Sequence, residues 1–234
     1  MEHRSMCLAI SFWLCSLTAT AQIVYQCDFE DEAERSQWVL NEGPRADLCA
    51  NNWYVGTAVN ATQNGQFGMY ISETGEKPEY SGTRNNVLVA ARELTLPEGE
   101  YTLFFDWMAK GRAASGEGIW VCWVPDTTTQ TYSAAVLRPA WVDTYRLDTV
   151  FNSTAIWEQG KVTFTTDGKP GRLAFVWTNS STPKPVQPSG CVDNIMIIPK
   201  IDECEPPTDF KRTMKGTSMQ VTWKGDADWY VARV

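Results

Sequence analysis

Histidine occurs once in the 234 residues, at position 3, inside an N-terminal stretch that reads as a cleavable export signal. Met1–Ala21 has Arg4 in a short polar start, an apolar Leu8–Leu17, and Ala19-Thr-Ala21 as a small-residue cleavage site. The mature chain then has no imidazole at all. That excludes Ser-His-Asp and Cys-His nucleophilic mechanisms and any histidine-ligated zinc. Basic runs are also missing. With 20 Lys+Arg against 28 Asp+Glu, the formal net charge is −8. Such a surface repels phosphate backbones and anionic lipid, so neither nucleic acid nor membrane is an expected partner. No run outside the signal is long and apolar enough to span a bilayer, and the signal's own is too short. The expectation is a secreted protein, extracellular or at the cell surface, with no membrane insertion.

Zinc-knuckle spacing is absent too. Of seven cysteines, Cys7 and Cys15 fall in the signal, leaving Cys27, Cys49, Cys122, Cys191 and Cys204. In an exported chain these read as disulfide candidates, and their odd number leaves one unpaired or paired elsewhere. Cys27–Cys49 is the preferred pair.

What is present is a succession of short apolar runs punctuated by turn residues, with no helical period. Strands are expected at Ile23–Glu30, Trp53–Val59, Phe67–Ser72, Asn86–Leu96, Tyr101–Met108, Gly118–Val124, Tyr132–Leu137, Lys161–Thr166, Arg172–Thr178 and Gly190–Pro199. Tyr101–Trp107 and Leu173–Trp177 are the most apolar and read as central strands. Asp167-Gly-Lys-Pro-Gly171 reads as the tight turn of a hairpin. So many evenly spaced strands favour an all-β sandwich of two antiparallel sheets. Trp107, Trp120, Trp123 and Trp177 sit in strands and belong to its core. Trp141 and Tyr145 lie in a less regular stretch and are the candidate aromatic platform for a glycan.

Acidic residues interrupt the first and last strands: Asp28 and Glu30 in one, Asp193 in the other. A half-buried strand tolerates carboxylates only when something compensates them, and a bound cation would serve all three. Asp106 and Glu117 are the only nominees for a hydrolytic carboxylate pair, and no catalytic signature frames them. The sequons at Asn60, Asn152 and Asn179 mark surface loops for a eukaryotic source.

Cys27-Asp-Phe-Glu30, Trp38, Gly99-Glu-Tyr-Thr-Leu-Phe-Phe-Asp106 and Val192-Asp-Asn-Ile195 together resemble MAM-type jelly rolls. They equally resemble the cleaved-adhesin and anchor-associated jelly rolls of secreted bacterial surface proteins. The Phe29-Glu30 pair and Asp193 are also similar to positions in calcium-bearing jelly-roll carbohydrate-binding modules. The resemblance covers roughly residues 24–199 and departs from MAM domains in the position of Cys49. It implies a jelly-roll β-sandwich over 22–200 whose first and last strands are neighbours. Glu30 and Asp193 would then face one another, with Asp28 one pleat away, as oxygen ligands of a structural Ca²⁺. Residues 201–207 read as an acidic, proline-bearing linker. Beyond it, 208–234 resembles the opening of a fibronectin type III domain, too short to complete one.

The function expected is non-catalytic adhesion or ligand binding, with a glycan or a cell-surface or matrix protein as partner. The alternative is a carbohydrate-binding accessory module, or a lectin-like domain, of a glycoside hydrolase or protease whose catalytic domain lies outside this chain. N-terminal sequencing of protein exported by its native host should begin at Gln22; finding Met1 would refute the export signal.

Overall fold

The computed structural model describes residues 23–42, 50–62, 64–126, 128 and 139–200, and the backbone of 208–215 and 218–224. The export signal 1–21, Cys49, the strand expected at Tyr132–Leu137, and the linker 201–207 with Cys204 lie outside the described residues. The chain divides into two units, Met1–Pro199 and Lys200–Val234.

The first unit is a two-sheet antiparallel sandwich, as the strand pattern predicts. Its strands are β1 (Tyr25–Cys27), β2 (Val39–Glu42), β3 (Asn52–Gly56), β4 (Gly68–Ser72), β5 (Asn86–Thr95), β6 (Gly99–Ala109), β7 (Gly118–Pro125), β8 (Thr154–Thr166), β9 (Pro170–Asn179) and β10 (Cys191–Pro199). Two short helices interrupt them, α1 (Glu32–Arg35) and α2 (Ala140–Tyr145). One sheet runs β3-β4-β10-β6-β8 with β1 added beside β10; the other runs β2-β5-β9-β7. In the second unit, β11 (Thr208–Lys215) and β12 (Ser218–Lys224) form an antiparallel pair.

Period-two alternation explains the core. Along β6, Tyr101, Leu103, Phe105 and Trp107 face inward and meet Leu173, Phe175 and Trp177 of β9 across the sandwich. Phe105 stacks edge-on against both Phe175 and Phe151, with centroids 5.4 and 5.1 Å apart. Of the four tryptophans expected in the core, Trp107, Trp123 and Trp177 are buried there, whereas Trp120 is buried in a second apolar cluster against the short helix α2. Indoles that bury their N–H need a partner, and Trp53 donates to the Leu88 carbonyl at 3.0 Å while Trp177 donates to Asn179 Oδ1 at 2.9 Å.

The opening strand departs from expectation. It ends at Cys27, because Phe29 takes a left-handed backbone (φ 61°) that turns its ring inward beside Trp38, centroids 5.8 Å apart. Such a conformation costs a non-glycine residue on the order of 1 kcal/mol, which burial of a phenylalanine ring offsets with roughly 1.5–3 kcal/mol. Asp28 and Glu30 therefore flank a turn rather than share a strand face. A matching irregularity occurs in β10, where the register against β6 shifts between Asp193 and Met196 around left-handed Asn194 (φ 48°).

Gly160 in β8 lies under the Phe105 ring: a Cβ there would stand 2.4 Å from it. Gly160→Ala should destabilise the sandwich by about 1–3 kcal/mol, the usual cost of overpacking. Urea unfolding would show it, and an unchanged midpoint would mean that the ring has room to shift.

Candidate functional site

The first and last strands are neighbours as expected: Tyr25, Gln26 and Cys27 pair with Ile197, Met196 and Ile195. Their carboxylates do not converge as expected. Asp193 is buried, and its two oxygens accept from the Ala61 and Asn194 N–H groups, both at 2.7 Å. Glu30 is exposed and accepts from the Gln66 and Phe67 N–H groups at 2.6 and 2.8 Å. Asp28, also exposed, accepts from the Glu30 N–H. Among the described residues, no three acidic, histidine or cysteine side chains gather where they could hold a metal ion. In this arrangement the three carboxylates do not fit one calcium shell. Instead, Asp193 and Glu30 pin the loop 60–67 by its backbone amides. Burial pushes the Asp193 carboxyl up to about 6, against the pull of its two N–H donors and with Asp106 and Asp28 adding like charge.

Trp141 is not the exposed platform residue expected. It lies at the start of α2, 5% exposed, in an apolar cluster with Val89, Trp120 and Val176 on the outer side of the four-stranded sheet. Tyr145 is half-buried against the same cluster, its hydroxyl accepting from Thr128 Oγ1 at 3.2 Å. The reason is amphipathic: a short helix laid on a sheet of valine and alanine buries its own aromatics first. Cys27 is buried without a disulfide to any described residue, and Cys49, its expected partner, lies outside them.

Glu117 is only 1% exposed and accepts six hydrogen bonds: three from Arg112, two from Ser180 and one from the Tyr80 hydroxyl. Burial raises its carboxyl, but these donors outweigh burial and hold it below the ordinary carboxylate range. It clasps the loops at one end of the sandwich, with both oxygens occupied by these donors. Asp106 belongs elsewhere, on the outer face of β6, so the two do not form a facing pair. The sequon asparagines are occupied as well. Asn179 is fully buried and donates to the Arg84 carbonyl, while Asn60 and Asn152 donate to the carbonyls of Gly65 and Glu117.

The outer face of the six-stranded sheet is what the sequence reading passed over. Directly paired residues of antiparallel strands share a face. The pairs Met196–Phe104, Phe104–Lys161, Asp193–Asp106 and Asp106–Gln159 therefore align across β10, β6 and β8. Gln26 pairs with Met196 and extends one row; Cys191 with Met108 and with Tyr70, then Tyr70 with Tyr54, build another. Trp157 and Met108 pack at the end of that row. The result is a polar strip, Asn194–Asp106–Gln159, between two apolar ridges, Met196–Phe104 and Met108–Trp157, all half-buried except the exposed Gln159. Asn194 Nδ2 donates to Asp106 Oδ2 at 2.7 Å and fixes that carboxylate. Lys161 Nζ stands 5.9 Å from the Phe104 ring centroid. The signal for this face was available: within Tyr101–Met108 the even positions alternate with the core positions.

No protein-family model matches the chain, and no curated protein matches it. Solved structures similar to it include a xylan-binding domain from Paenibacillus barcinonensis, at 12% identity over 76% of this chain and 95% of that one, with a TM-score of 0.46. A cleaved-adhesin domain of Lys-gingipain from Porphyromonas gingivalis is 19% identical over 75% of this chain and 98% of that one, with a TM-score of 0.44. A module that recognises mannan is 12% identical over 77% and 98%, with a TM-score of 0.36. At these identities and scores the likeness is architectural and assigns neither ligand nor activity.

A carboxyl raised from 3.8 to about 6 on folding stabilises the native state fully below 3.8 and loses that contribution as pH rises through about 6. Glu30 and Glu117 are shifted the opposite way, so their contributions persist above 4.5 and fade only in more acid solution. Between pH 5 and 7 the two effects separate. In chelator, stability should rise on the order of 1–2 kcal/mol as pH falls from 7 to 5, and Asp193→Asn should flatten the slope. A rise that disappears when calcium replaces chelator would show that an ion holds this carboxylate.

Proposed function

We propose that this chain is a non-catalytic glycan-binding module that takes its ligand on the outer face of the six-stranded sheet. The observation that carries this reading is the pattern of that face: two apolar ridges, with Phe104 and Trp157, bordering one polar strip. Pyranose rings present an apolar face and an equatorial rim of hydroxyls. A site for them pairs aromatic and aliphatic surface with few, well-placed hydrogen-bonding groups. Phe104 and Met196 on one side and Trp157 and Met108 on the other supply the surface. Asn194, Asp106 and Gln159 supply acceptors and donors at its centre.

The support is geometric. The rigid part is the sheet itself, with side chains fixed by strand register and not by mobile loops, so the ordering cost of binding is small. Glu117 is saturated by six donors, and the carboxylate beside Asp106, that of Asp193, has both oxygens taken by backbone N–H groups, so the site reads as one for holding a ligand and not for cleaving it. A glycan array with the purified chain is the test. Phe104→Ala and Trp157→Ala should each weaken binding at least about tenfold, roughly 1.4 kcal/mol, while the far-UV spectrum and Tm stay close to wild type. Retention of full affinity in both variants would remove this face as the site. Capture of a deglycosylated matrix protein in place of any glycan would move the ligand to the protein class.

A further inference from the structure

The inference deepens the proposed glycan site and rests on it. We infer that Asp106 sets the ligand class: the platform accepts neutral glycans and rejects those carrying uronate or sulfate groups.

The argument starts from where the charges lie. Strand register places Glu100, Asp106 and Asp193 on the outer face of the six-stranded sheet, and Lys161 is the one ammonium that the described strands place there. Of the three carboxylates, Asp193 is covered by the loop whose amide it binds, and Glu100 lies toward the far end of β6. Asp106 alone occupies the polar strip between the apolar ridges, half-buried and open. Its Oδ2 is held by Asn194 at 2.7 Å, so the carboxylate is oriented before any ligand arrives. Its other oxygen remains an acceptor for a sugar hydroxyl, and a charged acceptor makes the stronger kind of hydrogen bond.

The same charge works against an anionic ligand. A uronate or sulfate settled across the strip would bring like charge close to Asp106 in a partly desolvated site, where such juxtapositions are costly. Asp193, beside it on β10, adds to the negative potential. Lys161 lies at the Phe104 edge of the platform, one row away from the strip, so it does not neutralise Asp106 directly. An overall charge of −8 reinforces the bias at long range. Specificity built this way uses an attraction for hydroxyl donors and a repulsion for acidic sugars at one residue.

The test compares neutral oligosaccharides derived from xylan, mannan and β-glucan with the best-bound of these polymers after partial carboxymethylation, by calorimetric titration at low salt. Wild-type protein should bind the neutral form at least about tenfold more tightly. Asp106→Asn and Asp106→Ser should each narrow that ratio by about tenfold or more, and raising salt should narrow it more in the wild type than in either variant. Two variants are used because an asparagine can turn its amide N–H₂ toward the Asn194 donor, whereas serine leaves space. Equal binding of neutral and carboxymethylated forms by wild type would overturn the charge selection and leave the platform intact. An unchanged ratio in both variants would assign selection to another group. Absence of any glycan binding would overturn the platform reading and this inference with it.

Discussion

Strand β10 has two long edges and three partners. One edge pairs with β6 along most of its length; the other is divided, with Cys191 and Val192 given to β4 and Ile195–Ile197 given to β1. The division requires a break in register, and Asn194 supplies it with its left-handed backbone. Everything near the seam follows from that bulge. It buries Asp193, frees the Asn194 amide to reach Asp106, and lets β1 close the sheet beside β10. Phe29 performs the complementary turn at the end of β1. Two left-handed residues thus close the sandwich, and both sit where acidic side chains had suggested a metal.

Compensation of the seam carboxylates comes from backbone amides. A buried carboxylate needs hydrogen-bond donors or a cation, and the loop 60–67 offers N–H groups at both of its ends. In the loop before β7, Glu117 solves the same problem with Arg112, Tyr80 and Ser180. The two solutions leave different electrostatic marks: Asp193 is shifted up because burial dominates, Glu117 down because its donors do. Both serve to tie loops to the sheets, which keeps the outer face of the six-stranded sheet a rigid surface.

That face and the core are built from the same strand. In β6 the odd positions pack inward and the even positions form the platform, so each change of one residue in register would exchange binding surface for core. Glycines at the inner side permit this economy. Gly160 lets Phe105 lie flat beneath β8, which keeps Gln159 and Lys161 in line with Asp106 and Phe104.

Period-two alternation and turn residues made the strands, the central position of β6 and β9, and the burial of Trp107, Trp120, Trp123 and Trp177 legible in the sequence alone, because these depend on local pattern. The adjacency of the first and last strands was also legible, through the residues at 27–30 and 192–195. What a linear pattern does not contain is the backbone handedness of single residues and the company a segment keeps. The left-handed turns at Phe29 and Asn194 separated three carboxylates that strand geometry would have gathered. Docking on a valine-rich sheet buried Trp141, whose local sequence looks exposed. The platform of Phe104, Asp106, Met196 and Trp157 exists only through the register of three strands distant in sequence, so tertiary structure alone assembled it.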